Sequence, residues 1–191
     1  PICTALGAQT VNVSGDVFRL ATASAHTPEP VVFANRHVGD GASQALSLTN
    51  TAANDGFSER LNASIGGVTG NATSNNGSFS LLNAGATDNS ALSVGIDTSS
   101  AGHKSGTATI NLASDGTGTS GFAALGIGTQ TVNVSGDVFR LASASALASN
   151  VVFANRHVGE SAFQALSLTN TAAADGFSES LDAAFTGLAG D

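Results

Sequence analysis

Tryptophan, tyrosine and methionine are absent from this 191-residue chain, and lysine occurs once, at Lys104. Charged residues make up 10% of it, against roughly 25% in an average soluble domain. Each scarcity removes a class of function. Phosphate backbones and anionic lipid surfaces are gripped by clusters of Lys and Arg. Here five scattered arginines and Lys104 face fourteen acids, for a formal net charge of -8. Neither nucleic acid nor an acidic membrane surface is an expected partner. Sugar sites commonly stack rings on Trp or Tyr, whereas all ten aromatics here are Phe. The one cysteine, Cys3, cannot form an intrachain disulfide and reads as an incidental thiol. No stretch approaches the ~18 consecutive apolar residues of a membrane span, and no signal peptide opens the chain. An export signal is expected to have been removed or to lie outside these residues.

Catalytic signatures are missing as well. The sequence holds no Gly-x-Ser-x-Gly elbow and no glycine-rich phosphate loop with its lysine. No catalytic, cofactor-binding or metal-binding residue is assigned, no cofactor is called for, and an enzyme is not expected.

What is present is 41% hydrophobic residues, enough for a core, in a background of Ser, Thr, Asn and Gly. That background reads as a secreted β-protein. Self-similarity then organises the whole chain. The run TVNVSGDVFRLA at residues 10–21 recurs unchanged at 131–142, and VVFANRHVG at 31–39 recurs at 151–159. QALSLTNTAA at 44–53 returns at 164–173, and DGFSE at 55–59 returns at 175–179. The period, near 120 residues, exceeds the roughly 20–50 of solenoid units and matches a whole domain.

This register predicts three units. Residues 1–17 are the last strand of a preceding repeat. Residues 18–142 are a complete sandwich including its closing strand. Residues 143–191 are the first half of the next repeat, whose counterpart of residues 72–128 is expected from further sequence rather than from a neighbouring chain. A beads-on-a-string array follows.

Period-two alternation bounded by turn residues marks the strands. It places Val11 and Val13 on one face of a strand at 10–14, with a bulge or bend at 14–16 before Phe18 and Leu20 resume in the other parity. Further strands are read around Val31 and Phe33, Leu46 and Leu48, Phe57 to Ile65, Phe79 and Leu81, Leu92 to Ile96, Ala108 to Leu112, and 131–135. Turn clusters fall at 53–56, 70–77, 84–89, 99–102 and 114–118. No segment carries an apolar period of 3.6. The expected fold is all-β: tandem immunoglobulin-like β-sandwich domains of about seven strands each, without significant helix.

The runs FANRHVG, QALSLTNT and GTATINLASDG (residues 106–116) resemble the bacterial choice-of-anchor D proteins, whose repeats are similar to the ASH and major-sperm-protein type of immunoglobulin-like domain. The resemblance implies a large exported protein at the cell surface, with sandwiches as spacers or adhesive units. It brings no catalytic residues to transfer.

A few polar residues invite chemistry. His37 with Asp40, and its copy His157 with Glu160, could begin a metal site but lack further ligands; a locally hydrogen-bonded turn is the preferred reading. His103 is placed in an exposed hairpin loop, and His26 has no counterpart in the second copy. Asp55 and Glu59 could serve calcium, yet the oxygen-dense spacing of known loops is missing. Asp-Gly as turn and Phe57 as core anchor are preferred, and 114–118 is read as an inter-strand loop.

The expected function is a non-catalytic structural repeat of a large secreted or cell-surface bacterial protein, in a stalk, filament or surface layer. Its partners would be neighbouring repeats or copies of itself. An adhesin-type ligand- or glycan-binding module, or an accessory domain of a larger exported enzyme, is the alternative.

Overall fold

A computed structural model describes residues 1–3, 6–148 and 150–187. Residues 4–5, 149 and 188–191, which the first and third expected units include, lie outside the described residues. Among the described residues there is no helix, and eleven strand segments follow in order: β1 (Val31–Val32), β2 (Arg36–His37), β3 (Ser43–Ala45), β4 (Leu48–Thr49), β5 (Arg60–Gly70), β6 (Ala72–Ser74), β7 (Ser78–Leu82), β8 (Thr87–Asp88), β9 (Ser93–Ile96), β10 (Gly102–Asp115) and β11 (Leu125–Phe139). Two of the predicted turn clusters therefore carry short strands, β6 within 70–77 and β8 within 84–89.

The main sheet runs β1-β11-β10-β5-β7, with β2 continuing along β11 beyond β1. A second layer, β3-β9-β6, lies opposite, with the β4-β8 pair beside it. The chain enters along the second layer, bridging Ala23 to Asn50 and Thr27 to Ser47. It crosses over at residues 28–30, where both X-Pro bonds are cis, and joins the main sheet by pairing Val31 in parallel with Val134. Two facing sheets with a first strand shared between them make an immunoglobulin-like sandwich.

Period-two patterning explains the core. Leu61, Ala63 and Ile65 of β5, Ala108, Ile110 and Leu112 of β10, and Val132, Val134 and Val138 of β11 point inward against Leu46, Leu48, Leu92, Val94 and Ile96. Each large member contributes about 1.5–3 kcal/mol on full burial.

The bend predicted between the valine parity and the phenylalanine–leucine parity does not occur in β11. Alternation continues through Val132, Val134, Gly136 and Val138 on one buried face. Gly136 is an inward position where a Cβ would stand 2.8 Å from Ile96 Cδ1 and 3.0 Å from Phe33 Cβ. The glycine lets the two sheets approach closely. The irregularity of the β10–β11 ladder falls instead between Leu112 and Ala113.

The first copy of the same run is also corrected. Residues 10–14 form no strand, Val11 and Val13 are 82% and 91% exposed, and Leu20 is exposed rather than inward. Among the described residues of 140–187 no extended strand forms, and the β-bridges are the isolated pairs Arg140–Ser178 and Ala144–Asn170. Phe153 and Leu166 stay exposed where their counterparts Phe33 and Leu46 are buried.

Candidate functional site

A dense set of polar and aromatic contacts lies where β11 ends. Phe139 pairs with His37, and its carbonyl accepts the Val38 N–H at 2.9 Å. The next residue turns to a different segment: the Arg140 N–H donates to the Phe177 carbonyl at 2.9 Å, and the Arg140 carbonyl accepts the Glu179 N–H at 3.0 Å. Arg140 Nη1 donates to both Asp175 oxygens, at 2.7 and 2.8 Å, and to Ser178 Oγ at 3.0 Å. The rings of Phe139 and Phe177 lie 5.7 Å apart, tilted by 47°.

An equivalent set occurs one period earlier. Arg19 Nη1 reaches both Asp55 oxygens at 2.8 Å, and Phe18 meets Phe57 at 5.6 Å and 48°. Phe57 is thus not the core anchor expected; it is 43% exposed and closes the end of the sandwich against Phe18. The expected Asp-Gly turn is present, since the Phe57 N–H donates to Asp55 Oδ1 at 3.0 Å.

Charges follow these contacts. The Phe57 N–H and then Arg19 hold the Asp55 carboxyl below its ordinary value. For Asp175 the order reverses, with Arg140 first and the Phe177 N–H second. His37 Nε2 stands 2.6 Å from Glu179 Oε1, and that bond raises the His37 pKa above the usual imidazole value. Two surface depressions flank the junction, one between the His37–Asp40 turn and Arg140 with Leu141, the other between Arg36 and Glu179.

The predicted histidine turns are present in both copies. The His37 N–H donates to Asp40 Oδ2 at 2.8 Å, and the His157 N–H to Glu160 Oε2 at 3.0 Å. His103 is not in a loop: it lies in β10, with Nδ1 2.7 Å from Asp137 Oδ1 on β11. Among the described residues no three His, Cys, Asp or Glu side chains converge on a point that could hold a metal. The 114–118 segment splits. Ser114 and Asp115 end β10, and Asp115 Oδ1 caps the turn by accepting the Thr117 N–H at 2.9 Å.

Three buried polar ties escaped sequence reasoning. Glu59, 3% exposed, accepts Ser114 Oγ–H at 2.7 Å and Ser120 Oγ–H at 2.5 Å, and Ser114 Oγ accepts the Ala21 N–H at 2.7 Å. This links the entering segment at Ala21, β10 and the following loop through a carboxylate whose two oxygens are both occupied. Asn50 Oδ1 accepts from Thr22 and Ala52, while its Nδ2 donates to the Glu59 and Leu82 carbonyls.

His26 is buried, with Nδ1 2.8 Å from Gln130 Oε1 and Nε2 2.9 Å from Glu29 Oε2. Burial works against ionisation of Glu29, but bonds from Asn133 and His26 prevail and hold its carboxyl below the usual value. The identity of His26 against Leu147 in the second copy was the one available signal. All three ties are cross-links of the sandwich. None pairs a nucleophile with a base beside an open cleft.

Fold and site define an all-β, immunoglobulin-like sandwich with a reinforced end. The chain matches no family model and no curated protein. Among solved structures it is similar to the ASH / PapD-like domain of human CEP192 (PapD-like domain 7), with 8% identity, a TM-score of 0.46, and coverage of 70% of this chain and 98% of that one. It is also similar to the Vibrio cholerae VesB protease, with 11% identity, a TM-score of 0.33, and coverage of 62% and 32%. Neither likeness carries an activity to this chain.

Proposed function

We propose that the chain is a non-catalytic structural repeat of a large secreted or cell-surface bacterial protein of the choice-of-anchor D type, stacked with further copies as a stalk, filament or surface layer. One observation carries the reading: residues 131–139 run in β11 and close the sandwich, while the identical residues 10–18 carry no strand and leave Val11, Val13 and Val17 exposed. An exposed segment whose identical copy fills a defined slot calls for an equivalent slot in an adjoining repeat. The exposed Phe153 and Leu166 call in the same way for counterparts of β9 to β11, the strands that cover Phe33 and Leu46.

Reading the parent gene tests this. In-phase copies of residues 18–142 on both sides are expected. A single copy beside a catalytic domain would overturn the structural reading in favour of an accessory domain. Specific retention of the chain on a glycan array would overturn it in favour of an adhesin.

A further inference from the structure

We infer that consecutive repeats meet through a rigid, linker-free interface, in which the peptide group joining Phe139 to Arg140 belongs to both domains at once. The inference rests on the repeat reading above and says how the repeats are coupled. The peptide's carbonyl, on Phe139, accepts from Val38 of the complete sandwich. Its N–H, on Arg140, donates to Phe177 of the segment that follows. A peptide unit is planar, with a rotation barrier of roughly 18–20 kcal/mol. Its two hydrogen bonds therefore fix the bodies on either side with respect to each other.

Domains that move independently are joined by exposed, flexible linkers with few contacts across them. Here no residue separates the two sets of bonds. Phe139 is the last residue of β11, and Arg140 already bridges to Ser178. The side chains reinforce the joint. Phe139 packs on Phe177, and Arg140 clamps Asp175 and Ser178. The half supplied by the following repeat forms again around Phe18 and Arg19, where residues 10–17 carry no strand. It is thus a local, preformed socket, and the Arg36–Asp40 turn of the preceding sandwich is what completes it. The partner this end of the sandwich fits is the next copy of the repeat.

The His37–Glu179 bond is not part of this interface. In the complete sandwich the equivalent carboxylate, Glu59, turns inward to Ser114 and Ser120.

Distance measurements between two spin labels test the joint in the whole chain. Cys3→Ser removes the native thiol, and labels are placed at exposed positions on each side through Ser90→Cys and Ala174→Cys. The expected result is a narrow distance distribution, widened about twofold or more when Gly-Ser-Gly-Ser is inserted between Phe139 and Arg140, and widened less by Arg140→Ala. Hydrogen-exchange protection of the Ile110 and Val132 amides reports in each variant that the sandwich is still folded. A broad distribution in the parent chain overturns the inference. So does a distribution that stays narrow after insertion, because the shared peptide would then not be what holds the two bodies. A flexible joint in a parent gene full of repeats refutes the interface and spares the array. A stiff joint in a gene with a single copy does the opposite.

Discussion

Residues 10–21 and 131–142 have one sequence and two structures. In the second copy Val132, Val134 and Val138 are at most 3% exposed, and in the first Val11, Val13 and Val17 stand in solvent. Strand propensity is identical in the two places, so propensity does not decide the outcome. A strand is stable where neighbours accept its backbone bonds and cover one face. β11 has β10 on one side and β1 with β2 on the other. The same contrast separates residues 31–60 from 151–180, where local turns and clamps are kept and the core is not.

Substitutions made in pairs, one in each copy, sharpen the contrast. The largest difference is expected for Leu46→Ala against Leu166→Ala. The buried Leu46 should cost about 2–5 kcal/mol in denaturant unfolding, and the exposed Leu166 no more than about 0.5 kcal/mol. Equal costs would mean that the second copy builds a core in solution.

Gly136→Ala should cost about 1–3 kcal/mol by overpacking against Ile96 and Phe33. Gly15→Ala, with nothing within 4 Å, should leave the melting temperature in place. A similar range, about 1–3 kcal/mol, is expected for Glu59→Gln, which leaves one of two buried hydroxyl donors poorly matched. Glu179→Gln should be silent in the same unfolding curve, and an equal loss would show that Glu179 also finds buried partners.

The smallest effect is a titration. The His37 pKa is raised in the folded state by Glu179. The contact is therefore fully favourable below the ordinary imidazole value of 6.5 and is lost as pH rises through the raised one. An NMR titration of His37 should move its midpoint downward in Glu179→Gln. An unmoved midpoint would place the cause of the shift elsewhere.

Much of the fold was legible from period-two runs. The inward residues of β5, β9 and β10 are those that alternation selects, because a strand face has only two choices. The turns at Asp55 and His37 were legible too, since Asp and its neighbouring backbone N–H lie within reach of each other. The reinforced junction was not. Phe139 and Phe177 are 38 positions apart and Arg140 and Asp175 are 35 apart, and no local pattern says which distant loop an aromatic or a guanidinium meets. The Glu59 tie was not legible for the same reason. Its partners Ser114 and Ser120 lie more than 50 residues away, and a carboxylate in an Asp-Gly-Phe-Ser-Glu run looks exposed until those hydroxyls enclose it.

The sequence alone determined an all-β chain with a domain-sized repeat, poor in Lys and Arg and without Trp or Tyr. Those properties depend on composition, parity and self-similarity, which survive without coordinates. Tertiary structure alone decided that one copy of an identical run is a core strand and the other is not. It also decided that Gly136 replaces a bend with close sheet packing, and that Phe139 and Arg140 face different neighbours. In each case the deciding term is burial against partners distant in sequence, and a residue carries no record of which partners will arrive.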